Sequence, residues 1–176
     1  MEFIIVGIIF IAFIGVVWIY NTVIKYKNYV ENAYRLIDVN LQKRADLIPN
    51  LVKTVKAYKD FEKEVLEDIT ELRNQVTNQH TIDKKRQDKE QCIGTDLKKI
   101  FAVSEDYPDL KSNENFLKLQ KEISRIEENL AAAREIYNSN LKILNTTMQI
   151  FPYNIIAKRI NIPKYDYFEA NVTSKD

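Results

Sequence analysis

His80 is the only histidine and Cys92 the only cysteine of this 176-residue chain. A Cys–His nucleophile pair or a zinc site needs those side chains together with further ligands, yet the sequence sets His80 in a polar loop far from Cys92. Three glycines, Gly7, Gly15 and Gly94, are too few for the usual phosphate-cradling loops. Carboxylates are plentiful at Glu62, Glu64, Glu67, Asp68 and Glu71, but the Glu-x-x-His motifs of a carboxylate-bridged di-metal bundle are missing. They read as a solvated helix face. The basic run Lys84-Lys85-Arg86, with Lys89, is interleaved with Asp83, Asp88 and Glu90 and reads the same way. With 26 Lys plus Arg against 25 Asp plus Glu, the chain lacks the basic excess of a dedicated nucleic-acid binder. No catalytic residue, cofactor or metal ligand is assigned, and neither an enzyme nor a nucleic-acid partner is expected. An enzyme with an unrecognised carboxylate or tyrosine site is the lesser alternative.

The elements that must position these residues begin with an uncharged apolar run from Phe3 to Tyr20. Eighteen helical residues rise about 27 Å, close to the ~30 Å hydrocarbon core of a bilayer. Phe3, Phe10 and Phe13 face lipid in this reading, and Trp18 and Tyr20 sit where aromatic rings favour the membrane–water boundary. No Lys or Arg precedes the run and no small-x-small site follows it, so it reads as an uncleaved anchor rather than a leader peptide. Lys25, Lys27 and Arg35 follow the run. The basic asymmetry predicts a single-pass cell-membrane protein with its N-terminus outside and the bulk of the chain cytoplasmic.

Behind the anchor the sequence reads as helix almost throughout. Val30, Ala33, Ile37 and Leu41 make one apolar stripe, and Leu51, Val55, Tyr58, Val65, Ile69, Leu72 and Val76 another. Between them, Asp46 suits an N-cap and Pro49 a first helical turn, which predicts a turn near residues 44 to 47. The alternative is one helix bent at Pro49, since the stripe passes through Arg44 and Ile48 without a phase break. Thr77 to Thr81 suits a loop, Asp83 to Ser104 a weaker helix interrupted by Gly94, and Tyr107-Pro108-Asp109 a break. A seam of Phe116, Leu119, Ile123, Ile126, Leu130, Ala133, Tyr137, Leu141, Leu144, Met148 and Phe151 advances at an average of about 3.5 residues, a heptad pattern. The expected fold is all-α: an N-terminal transmembrane helix continuing into an antiparallel four-helix bundle, one helix short. The expected divisions are an anchor over 1–22, a bundle over 23–160 and an aromatic, polar tail over 161–176. Tyr26, Tyr29 and Tyr34 are read as core, with an exposed contact strip as the alternative.

Several runs resemble the signature of the bacterial LemA family: Ala33-Tyr34, Ile37-Asp38-Val39-Asn40-Leu41, Lys43 through Val52, Val55-Lys56-Ala57-Tyr58, Tyr107 through Lys111, Ala133-Arg134, Tyr137-Asn138, Phe151-Pro152 and Tyr167-Phe168-Glu169. Lys27 and Tyr34 stand where that family tends to have Arg and Trp. The resemblance implies one N-terminal membrane segment and a helical bundle in a bacterial cell membrane, and no agreed enzymatic activity, substrate or cofactor. Residues at family-like positions near the seams, Asp38, Arg44, Asp46, Pro49, Asn50, Arg134, Tyr137 and Asn138, are candidates for a structural polar network or a contact surface. Arg134 is expected to pair with a buried carboxylate or amide such as Asp38. Together these readings give a membrane-anchored scaffold or adaptor, with membrane lipid and an unidentified protein as partners. An oligomeric membrane-organising protein, in which the chain pairs with itself, is the alternative.

Overall fold

The computed structural model describes residues 1–57, 63–77 and 84–168. Six α-helices follow one another among these: α1 Glu2–Lys56, α2 Lys63–Thr77, α3 Lys84–Val103, α4 Pro108–Lys111, α5 Glu114–Gln149 and α6 Tyr153–Ala157, with a single 3-10 turn at Ser104–Asp106. No strand occurs among them. Tyr58, Glu62, Asp83 and the loop with His80 lie outside the described residues.

The expected turn at residues 44 to 47 is absent, and α1 runs through Pro49 without interruption. Asp46 is therefore mid-helix, not an N-cap, and its Oδ1 accepts from Gln42 Nε2 at 2.8 Å. Two physical reasons account for the correction. Buried positions 37, 41, 44, 48, 51 and 55 keep a single helical phase, which a turn would have reset. Pro49 also lacks the N–H that would bond the Ala45 carbonyl four residues earlier, and Arg73 of α2 replaces it, its Nε–H donating to that oxygen at 2.8 Å. The second expected stripe is thereby divided between the end of α1 and α2.

The chain divides into two compact units, Leu36–Ala133 and Met1–Arg35 with Arg134–Asp176. In the first, Ile48, Leu51 and Val55 of α1, Leu66 and Ile69 of α2, Ile93, Leu97 and Ile100 of α3, Leu110 of α4, and Phe116 and Ile123 of α5 form one core. Gly94 does not interrupt α3. Tyr107 takes an extended conformation (φ −118°, ψ 86°), as the residue before a proline should, and Pro108 opens α4. Asn113 caps α5, its Oδ1 accepting the N–H groups of Asn115 and Phe116 at 3.0 and 3.1 Å.

In the second unit residues 2–18 of α1 stay uncovered except half-buried Gly15, and burial begins at Ile19 and Val23. This stretch is long and apolar enough to cross a membrane. Of the α5 seam, Tyr137, Leu141 and Leu144 are buried in this unit. The seam stops short of its expected end, because α5 closes at Gln149 and Phe151 is exposed. Tyr29 is exposed as well, while Tyr26 and Tyr34 are half-buried, so the first-helix tyrosines do not share one environment.

Candidate functional site

Arg44 occupies a position of the α1 stripe where periodicity calls for an apolar side chain, and it is 1% exposed. A guanidinium there must be met by acceptors, because a desolvated unpaired charge would cost several kcal/mol or more. Nη1 donates to Glu127 Oε1 of α5 at 2.7 Å. Nη2 donates to the Glu90 carbonyl of α3 at 3.1 Å and pairs with the carboxylate of the same residue. Glu90, 5% exposed, also faces Arg86 Nε at 3.9 Å, and Arg86 Nη2 donates to Asp38 Oδ1 at 2.5 Å. Five charged side chains thus tie α1, α3 and α5 together within the Leu36–Ala133 unit. Gly94 lies under the centre of this network. A Cβ there would meet Arg44 Nη1 at 3.6 Å and Glu127 Oε2 at 3.7 Å, so an alanine fits while a larger side chain would displace the pair.

A second polar constellation holds the segment Tyr165 to Phe168 in the other unit. Asn138 forms a two-point amide pair with the backbone of Phe168, donating from Nδ2 to its carbonyl at 2.8 Å and accepting its N–H at 3.0 Å. Tyr137 donates to the Asp166 carbonyl at 3.1 Å and meets the Phe168 ring edge-on at 5.1 Å. The Arg134 guanidinium lies 5.8 Å from the Phe168 ring centroid, a cation–π distance. Tyr165 donates to Glu31 Oε1 at 3.0 Å, and Asn145 Nδ2 to the Tyr167 hydroxyl at 3.1 Å. Burial pushes the Tyr137 phenol up to about 12. Burial and then the bond to the Glu31 carboxylate push Tyr165 further up. Burial alone would raise the Glu31 carboxyl, but hydrogen bonds from Lys27 and Tyr165 outweigh it and hold the group below its ordinary value.

The sequence candidates are therefore divided. Asp38 and Arg44 enter the charge network, where Asp38 serves Arg86. Arg134, Tyr137 and Asn138 enter the aromatic strap. Asp46 and Asn50 are exposed, and the Asn50 carbonyl accepts from Thr54 Oγ1 at 2.8 Å. Phe3, Phe10, Phe13, Trp18 and Tyr20 are all exposed on the apolar stretch of α1. Arg86 and Glu90 belong to a run whose mixed charges read as a solvated face, yet both are buried, because the buried phase of Arg44 on α1 requires a carboxylate from another helix; nothing in the local sequence singles out Glu127 or Arg73. Nothing in the tail's composition indicated that its backbone would pair with Asn138.

Among the described residues no group of three His, Cys, Asp or Glu side chains could hold a metal ion. A depression on α5 is lined by Lys118, Lys121, Glu122, Ser124, Arg125 and Glu128, all exposed and of both charge signs.

The LemA family model matches residues 33–176. Protein LemA of Metamycoplasma hominis is 25% identical over 166 residues, which cover 94% of this chain and 74% of that protein. Two magnetosome proteins of Paramagnetospirillum magneticum, MamQ 1 and MamQ 2, are each 26% identical over 77 residues, covering 44% of this chain and 28% of theirs.

Proposed function

The chain therefore belongs to the LemA family, and from that premise we propose that it is a membrane-anchored helical-bundle scaffold or adaptor with no catalytic activity. The observation that carries the reading is α1 itself. Residues 3–18 are apolar and, apart from half-buried Gly15, uncovered, which suits lipid, and the same helix then supplies the buried stripe of a bundle with no linker between. Polar groups that could have formed a reactive centre are engaged with one another: Arg44 with Glu90 and Glu127, Tyr137 and Asn138 with the tail backbone. Leu36 and Val39, by contrast, are apolar and exposed on α1, as a protein-docking surface would require.

Lys25, Lys27 and Arg35 lie after the apolar run, which supports a cytoplasmic bundle and an external N-terminus. Membrane lipid and a protein docked at Leu36 and Val39 are the partners of this reading, and nucleic acid is not. A second reading, an oligomer that organises the membrane, is favoured by Ile136 and Ile143, exposed seven residues apart on α5.

The test combines topology and capture in cells. In a Cys92→Ser background, a membrane-impermeant thiol reagent should leave Ser112→Cys unlabelled in intact cells and label it after permeabilisation. Labelling from outside inverts the orientation. Two differently tagged copies, co-expressed and solubilised in mild detergent, should isolate separately together with a protein lost on Leu36→Glu with Val39→Glu. Co-isolation of the two tags, abolished by Ile136→Glu, would replace the adaptor by the oligomer.

A further inference from the structure

We propose that the α5–α6 corner is a second membrane contact, in which Phe151 and Ile155 enter the bilayer surface beside the anchor while Lys158 and Arg159 meet anionic lipid headgroups. The proposal rests on the anchor reading of α1. Phe151 is 78% and Ile155 57% exposed, and Ile150 beside them is exposed as well. No residue of α6 is buried. Tyr153, Asn154, Ile156 and Ala157 are half-buried, so this five-residue helix, too short to be stable through its own hydrogen bonds, rests on the protein on one side and leaves Ile155 open on the other.

The surface is identified by continuity. Trp18, at the end of the apolar run, packs against Tyr153 of α6, with ring centroids 6.0 Å apart and planes inclined by 50°. Ile19, the next residue of α1, is the first to be buried. The corner therefore stands at the level where α1 passes from exposed apolar surface to covered core. If Phe3 to Tyr20 span the hydrocarbon, that level is the lipid headgroup boundary, where Trp and Tyr rings concentrate. Phe151 and Ile155 then extend the apolar surface that α1 already presents. Lys158 and Arg159, both exposed, follow α6 directly, and Lys164 follows within the next turns of chain. Apolar insertion beside basic side chains is the chemistry of an interfacial helix on anionic lipid. The same arrangement favours the cytoplasmic leaflet, where such lipids collect.

Fluorescence of the full chain reconstituted into phosphatidylcholine–phosphatidylglycerol vesicles tests this. Single cysteines, Ile155→Cys, Phe10→Cys and Ser139→Cys, are placed in the Cys92→Ser background and labelled with an environment-sensitive dye. The Ile155→Cys label is expected to emit at shorter wavelength than the Ser139→Cys label and to be quenched by lipid brominated near the headgroup end of its chains, and the Phe10→Cys label to be quenched by lipid brominated near the methyl end. Adding Lys158→Glu and Arg159→Glu should reverse much of that quenching in anionic vesicles and little of it in phosphatidylcholine alone. Emission at Ile155→Cys like that at Ser139→Cys, with Phe10→Cys still quenched, overturns the second contact and leaves the anchor standing. A short-wavelength label that brominated lipid does not quench overturns it in favour of a protein cover, such as a second copy. Absence of quenching at Phe10→Cys as well overturns both the anchor and this contact.

Discussion

Replacing Arg73 by methionine removes the donor that substitutes for the N–H missing at Pro49. The Ala45 carbonyl belongs to a buried residue, and its bond to the Arg73 guanidinium is 2.8 Å long. Leaving such an oxygen without a donor costs about 1–3 kcal/mol. For a chain of this size, that corresponds to a melting point lowered by roughly 2–12 °C. The decisive quantity is the coupling with Pro49. Pro49→Ala restores an N–H in reach of the same oxygen, so the helix no longer depends on α2 at this point. Removing Arg73 from the Pro49→Ala background should then cost less than about 0.5 kcal/mol beyond the loss of ordinary packing. Thermal melts of the full chain in mild detergent, followed by circular dichroism for the parent, both single variants and the double variant, give the coupling directly. Equal losses from Arg73→Met in both backgrounds would refute the substitution of one donor for the other. So would a large destabilisation from Pro49→Ala alone, because a proline in a helix interior is otherwise unfavourable by about 3 kcal/mol.

Two further outcomes follow from the two polar constellations. Arg44→Met strands the Glu90 carboxylate and should destabilise by about 3–5 kcal/mol, whereas Arg44→Met with Glu90→Leu should regain much of the loss while giving more than one set of amide resonances in solution NMR; a double variant as unstable as the single one would show that the pair is not the unit of the effect. The strap predicts a stability that falls with rising alkalinity. The Tyr137 phenol titrates at about 12 in the fold, above its ordinary value of 10.0, so between those pH values the unfolded chain has fewer bound protons and stability declines as pH rises. Denaturant midpoints across that window should fall for the parent chain and fall less for Tyr137→Phe, and parallel slopes would contradict the assignment.

The helical class and the buried side of each helix were legible because apolar periodicity reports which face meets a core, whatever covers it. Ile37, Ile48, Leu51 and Val55 on α1, and Phe116 through Leu144 on α5, illustrate this. The continuation through Pro49 was not legible from its own neighbourhood. Asp46-Leu47-Ile48-Pro49 has the local chemistry of a helix start, and the donor that overrides it sits 28 residues away on another helix. The charge network was half legible. Arg44 in a buried phase demanded an anion, but the seam does not say which of many surface-patterned carboxylates turns inward, and Glu90 sits in a run that reads as solvated. The strap was hidden for a different reason: Asn138 recognises the backbone of Phe168, and backbone groups carry no sequence signal.

A buried ion pair is a weak source of net stability, since desolvation offsets most of the attraction. What it can do is reject alternatives. Apolar seams with heptad spacing tolerate a slip of seven residues with little change in buried area. A slip along α3 that brings Leu97 opposite Arg44 in place of Glu90 would deprive the buried guanidinium of one of its two carboxylates. A slip along α5 would set Arg134 or Gln120 where Glu127 stands, so the charge would meet a like charge or a neutral amide. The mismatch at the buried Glu90 position carries the larger penalty, several kcal/mol for a desolvated charge, and the one at half-buried Glu127 adds to it. Arg44 and its two carboxylates thus select one register from a set that hydrophobic burial alone would leave nearly equivalent. That role needs no substrate, and it accounts for charged residues in the core of a bundle read here as a scaffold.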